Sequence, residues 1–299
     1  MRNLPLPARE SDRSDLLRAI KTYRYGGRVL GYTATSQELD AILALYDRYD
    51  ADRAAPCEAM KGGAFPTALT DAVHDAFEST QQGRKLHSIR KTLFSGVDLC
   101  PICGIGPVVE LDHYLPRSVF KPLAIYARNL VPMCHACNLA KLAGFGDQDE
   151  QEQRFLHAYF DALPDVSFLS ADVSIRDGGL VVEFGIDEGV GLPDGYARRL
   201  EHQITELGLN ARYRSEVNTY ITSHAIALHL QHATGGGGAV CAFLRLQARY
   251  ETGAFYRNHW RPTLLAALAI HDEFTDGGFA AVLPVPRDML DDMAGEHWA

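Results

Sequence analysis

The sequence predicts an α+β protein, mostly helical, with a central zinc-stapled hairpin and helix and one additional β-hairpin. Three observations predict it. Two Cys-x-x-Cys pairs, Cys100/Cys103 and Cys134/Cys137, flank two short apolar segments, and such pairs can close a tetrahedral thiolate site. Apolar residues recur at helical spacing on both sides of that centre. Residues 173–176 and 180–186 alternate in polarity around Asp177-Gly178-Gly179, a hairpin-turn signal.

Taken in order, residues 1–10 are Pro-rich and extended, and residues 11–24 have helical character that Gly26, Gly27 and Gly31 interrupt. Thr35-Ser36-Gln37-Glu38 is a capping-box start for a helix bearing Leu39, Ile42, Leu43, Leu45 and Tyr46. A further helix follows Pro66. Another, over 84–94, turns Leu86, Ile89 and Leu93 inward and carries Arg84, Arg90 and Lys91 elsewhere. Residues 144–153 are polar and acidic and read as a loop. Beyond the 173–186 hairpin, helices are predicted over 196–207, 211–232, 239–250 and 259–274, with Gly235 to Gly238 as a joint, before a Pro- and acid-rich tail. Asn258-His259-Trp260-Arg261 reads as a helix cap with a packed Trp. Three regions result: a helical 1–83, a core of 84–165, and a hairpin-plus-helix region of 166–299 suited to a partner.

The totals narrow the function. No apolar run of the 299 residues is long enough to span a bilayer and the start lacks a signal-peptide core, so a cytoplasmic protein without a membrane partner is expected. Four of the six cysteines sit in Cys-x-x-Cys pairs, which fits metal better than disulfides. The net charge of −9 is unevenly spread: residues 84–146 hold eight cations against three anions, leaving −14 elsewhere. A local basic field of this kind attracts phosphate.

Within that field, Pro107 to His113 reads as a strand with Asp112 and His113 at its end, and Asn129 to Met133 as its return strand. A helix after Cys134 then carries Asn138 and Lys141 on one face. Asp112, His113 and Asn138 are expected to converge. A histidine titrating near neutrality can activate water, and a cation on oxygen ligands can stabilise a leaving phosphate oxygen.

These residues, Asp112-His113 with Pro116, Asn129-Leu130, and Cys134-x-x-Cys137-Asn138 with Lys141, resemble the HNH endonuclease family of treble-clef, ββα-metal nucleases. The resemblance implies that His113 is the general base and that Asp112 and Asn138 hold a catalytic Mg²⁺ or Mn²⁺. Asn129 would fix the loop and the His113 imidazole, and Cys100, Cys103, Cys134 and Cys137 would bind structural Zn²⁺. Asn138 stands where the family more often has His. The substrate implied is DNA, with RNA not distinguished, and Arg117, Lys121 and Lys141 are candidates for flanking phosphates. Residues 155–161 resemble a segment that follows the motif in HNH proteins of Septu-like and retron-associated anti-phage defence. That implies a partner ATPase of the ABC or SMC type. Here the aromatic residues are expected to seal the core against the following hairpin, with His157 a lesser catalytic candidate. A stand-alone restriction-type nuclease and a non-catalytic zinc-binding interaction module remain alternatives.

Overall fold

Helix α1 (Asp12–Ile20) opens the chain's regular structure and buries Leu16, Ala19 and Ile20. A computed structural model describes residues 1–146, 151–286 and 288–289. Part of the predicted 144–153 loop and most of the acidic tail lie outside the described residues. The described chain is α+β and mostly helical, and it divides into two units, Met1–Leu163 with Arg198–Leu207, and Pro164–Ala197 with the chain from Gly208. Residues 1–83 and the cysteine-bearing segment both lie in the first of these units.

After α1 the first unit forms a small antiparallel hairpin, β1 (Tyr23–Tyr25) and β2 (Arg28–Leu30). The sequence reading took Gly26-Gly27 only as a helix break. Both glycines have positive φ, 55° and 77°, as a two-residue primed turn requires. Every residue of the two strands is exposed, so no in-out alternation marks them in the sequence.

Helix α2 (Ser36–Ala51) has the capping box: Thr35 Oγ1 accepts from Glu38 N at 3.2 Å and Glu38 Oε2 accepts from Thr35 N at 2.8 Å. Its buried stripe of Leu39, Ile42, Leu45, Tyr46 and Tyr49 delivers two tyrosines toward the core. Tyr46 stacks on Tyr126 with centroids 4.0 Å apart, and Asp50 takes hydrogen bonds from Tyr126 and Arg128, each at 2.6 Å. α2 thus grips the segment leading into the second central strand. Helices α3 (Thr67–Ala76), beginning after Pro66 as expected, and α4 (His87–Phe94) pack their apolar faces inward.

At the centre, β3 (Glu110–His113) pairs antiparallel with β4 (Leu130–Met133), in the register Glu110↔Met133, Asp112↔Val131 and His113↔Leu130. Helix α5 (His135–Lys141) starts immediately after β4, with Cys134 as its cap residue.

The second unit holds the expected hairpin, β5 (Leu169–Arg176) and β6 (Gly179–Ile186), fully paired around Asp177-Gly178. Helix α6 (Tyr196–Glu206) follows and belongs to the first unit from Arg198 onward. The expected 211–232 helix is divided near Ser223 and His224 into α7 (Leu209–Thr222) and the start of α8 (Ala225–Ala254). Helical geometry is broken within α8 at Gly235 and Gly236, the latter at φ 61° and ψ −157°, so two helical stretches meet at the expected glycine joint. In α9 (Trp260–Ala269) the cap is His259, whose side chain accepts from Arg261 N at 3.2 Å, and Trp260 is buried. α10 (Phe279–Val282) completes the described helices. No helix of the described residues is long and apolar enough to cross a membrane.

Because the capping box satisfies two donors at the start of the helix that carries Tyr46 and Tyr49, Thr35→Ala should lower unfolding stability by about 1 kcal/mol. Denaturant titration should show that loss with an unchanged slope.

Candidate metal centre and the adjoining cleft of β3, β4 and α5

The cysteines meet because two tight turns face each other. Cys100 and Cys103 flank a turn closed by Gly104 N to Cys100 O at 2.9 Å and by Cys100 N to Gly106 O at 2.9 Å. A Cβ on Gly106 would lie 3.3 Å from Cys134 Cβ, so a small residue there lets the second knuckle approach. The four Sγ atoms all lie within 4.8 Å of one another, every cysteine is buried, and none forms a disulfide. Hydrogen bonds from neighbouring thiols draw Cys103 down to about 6 and hold Cys134 below the ordinary thiol range. Burial pushes the Cys100 thiol up and hydrogen bonding to the neighbouring sulfurs pushes Cys137 up, so the four sulfurs share protons among themselves. Four thiolates at this separation fit a metal ion such as Zn²⁺, and Cys100, Cys103, Cys134 and Cys137 would be its ligands.

On β3, alternation decides which side chains meet α5. Glu110 and Asp112 point to the helix, and His113 to the opposite face. Asp112 is 4% exposed and Lys141 5%, and Lys141 Nζ lies 3.0 Å from Asp112 Oδ2 while donating to His113 O at 2.9 Å. Burial pushes the Asp112 carboxyl up, and the Lys141 ammonium opposes that shift. Lys141 is therefore an internal counter-ion to Asp112 and not a surface cation. Its position in the last turn of α5 places the ammonium under the end of β3.

Asn138 does not meet Asp112. Its Nδ2 donates to Glu110 Oε2, and exposed His135 pairs with Glu110 Oε1 at 2.7 Å. Sequence reasoning passed over Glu110, although its place two residues before Asp112 put it on the same strand face. The residues expected to hold a catalytic divalent ion do not fit one in this arrangement. Asp112 is neutralised by Lys141, Asn138 is engaged by Glu110, and the void beside the ion pair is about 10 Å³, too small for a hydrated cation.

His113 is half-buried. Its Nε2 lies 2.9 Å from Ala124 O, its ring centroid is 4.3 Å from that of Phe77, and burial lowers its pKa to about 3. The carbonyl partner requires the proton on Nε2, which leaves Nδ1 as the acceptor. Asn129, fully buried, pins the loop after β3: its Oδ1 accepts from Leu115 N at 2.8 Å, and its Nδ2 donates to Leu115 O at 3.0 Å and Leu123 O at 3.3 Å. It fixes the loop as expected, but reaches the imidazole only through the backbone that carries Ala124.

Behind Asn129 stands a relay that spacing could not reveal. Tyr49 Oη donates to Asn129 Oδ1 at 3.0 Å and lies 3.0 Å from His157 Nε2. His157 Nδ1 accepts from Tyr159 N at 3.1 Å, which assigns the proton to Nε2. Burial lowers the His157 pKa to about 3, keeping the ring neutral. His157, 1% exposed, acts through Tyr49 on Asn129 and sits among Tyr49, Tyr114 and Phe160 of its own unit. The aromatic segment thus seals the first unit internally, where the sequence reading had it sealing against the following hairpin. Arg117 and Lys121 are paired with Glu78 at 3.2 Å and Asp71 at 2.6 Å.

The sequence is 25% identical to Protein ea31 of Escherichia phage lambda over 211 residues. That match covers 62% of this chain and 66% of the phage protein, less than two thirds of its length. No family profile matches the chain. No solved structure matches it.

Two outcomes are expected. Cys134→Ser should release bound zinc, read by elemental analysis, and abolish the cooperative unfolding of the first unit, because metal binding and folding are coupled in such sites. Lys141→Met should cost about 3–5 kcal/mol by stranding a buried carboxylate, and Asp112→Asn combined with Lys141→Met should recover part of the loss in urea titration.

Proposed function

We propose that this chain is an HNH-type endonuclease that hydrolyses DNA phosphodiester bonds. The observation that carries the reading is the state of His113. At the end of a hairpin tied by four cysteines to a following helix, its Nε2 is engaged by the Ala124 carbonyl and its Nδ1 is left as a base. Burial holds its pKa well below the ordinary histidine value, so the imidazole is neutral at physiological pH and only weakly basic until the negative charge of a phosphate beside it favours the protonated form. In the proposed reaction Nδ1 takes the proton of a water whose oxygen forms a bond to phosphorus, the opposite P–O bond breaks, the leaving oxygen of the released strand end takes a proton from solvent water, and the imidazolium returns its proton to solvent. Asn129 holds the loop that presents the base, and Tyr49 and His157 hold Asn129. No step is assigned to a divalent ion, since the Asp112 and Asn138 side chains are committed to Lys141 and Glu110.

The same two commitments favour a second reading, a zinc-stapled module that binds nucleic acid or protein without cutting. The nuclease reading extends to work beside an ABC- or SMC-type ATPase in anti-phage defence, which rests on the resemblance of residues 155–161 and on the chain's layout.

Supercoiled plasmid should be cut by the wild-type protein, and parallel arms with Mg²⁺, with Mn²⁺ and with EDTA read whether an added divalent ion is needed. His113→Ala should lower the rate by about 100-fold or more while zinc content and circular dichroism stay unchanged. Intact plasmid under all conditions, with the ATPase added and zinc bound, would establish the non-cutting module.

A further inference from the structure

Two stretches without a carboxylate meet on the first unit. Residues 16–37 carry Arg18, Lys21, Arg24 and Arg28, and residues 79–97 carry Arg84, Lys85, Arg90 and Lys91, in a chain of net charge −9. Between them lies a cavity of about 660 Å³ walled by Arg18, Lys21, Arg84 and Lys85 together with Tyr23, and Asp75 is the one acidic residue lining it.

The β1–β2 hairpin stands at this cavity. Its register pairs Tyr23 with Leu30 and Tyr25 with Arg28, which sets both tyrosines and Arg28 on one face. Tyr23 is 52% exposed and Tyr25 76%. Large aromatic rings on a two-stranded ribbon contribute nothing to a core when solvated. Arg18 and Lys85 secure the base of the hairpin, since the Arg18 guanidinium donates to Lys85 O and Lys85 Nζ donates to Ala19 O at 2.8 Å, near the Tyr23 ring. Lys21, Arg24, Arg28 and Arg84 are exposed and make no ion pair among the described residues. Four unpaired cations beside two presented aromatic rings match the chemistry of a polyanion with unstacked bases.

We propose that the β1–β2 hairpin and the basic cavity at its base bind a single-stranded segment of nucleic acid. Tyr23 and Tyr25 stack on unpaired bases, and Lys21, Arg24, Arg28 and Arg84 follow the phosphates. The proposal deepens the nuclease reading and rests on it for the class of polymer. Binding itself can be measured without any cleavage.

The test is fluorescence anisotropy of the full chain, without added divalent ions, on labelled oligothymidylate, oligouridylate and a duplex of equal length between about 50 and 200 mM salt. Single strands should bind tighter than duplex, and the two single-stranded arms identify DNA or RNA. Tyr23→Ala with Tyr25→Ala should weaken single-strand binding at least about tenfold, while Tyr23→Phe with Tyr25→Phe retains it. Replacing Lys21, Arg24, Arg28 and Arg84 by Gln should make the slope of log affinity against log salt shallower by about 3. Zinc content and circular dichroism of each variant establish that it is folded. No binding, or duplex bound as tightly as single strand with the alanine pair unaffected, would overturn the proposal. Plasmid cutting on the same preparations separates the two ideas: binding without cutting sinks only the nuclease, and cutting with both hairpin variants unchanged sinks only the hairpin.

Discussion

Four buried sulfurs within 4.8 Å of one another are the constraint on which the centre of this protein depends. The elements they join are too short to stand alone: β3 and β4 have four residues each and α5 has seven. Isolated hairpins and helices of that size are marginal in water, since neither recovers the entropy of ordering its backbone. A metal held by both knuckles would supply that free energy and fix the angle between hairpin and helix. The close approach at Gly106 allows the second knuckle to reach the first.

Around this staple the polar side chains are arranged for mutual satisfaction more than for openness. Asp112 and Lys141 form an ion pair sealed from water, a geometry whose desolvation cost is met only while both partners remain. Asn129 uses both ends of its amide on backbone and on Tyr49, so a loop that would otherwise strand polar groups in the core is fully tied. His113 differs from these. One of its nitrogens is fixed by a carbonyl while the other keeps a lone pair, whereas both nitrogens of His157 are engaged.

The basic hairpin adds a different kind of surface. Its cations and rings do not support the core, and its strands are exposed throughout. In a chain with excess negative charge, such a region carries a local positive field that the rest of the surface does not share. The proposed phosphodiester cleavage at the centre and the proposed binding of unpaired strands at the hairpin would be complementary.

Much of this was legible in the sequence where the signal is local. The cysteine knuckles follow from Cys-x-x-Cys spacing, α2 from Thr35 and Glu38, the β5–β6 hairpin from Asp177-Gly178, and the break in α8 from its run of glycines. The neighbours of Asp112, Asn138 and His113 were not legible. Strand alternation sends Glu110 and Asp112 to one face and His113 to the other, and which helical residue lies opposite each is set by how α5 docks on the hairpin. The partnership of Tyr49, Asn129 and His157 joins residues far apart in the chain, and the β1–β2 hairpin lacks the buried face that writes a strand into a sequence. Sequence alone determined the four cysteines that could hold a metal and most of the elements, because backbone propensity, capping and knuckle spacing act over a few residues. The tertiary structure decided which charges neutralise one another and which histidine nitrogens are engaged, because burial and pairing depend on side chains that only the folded chain brings together.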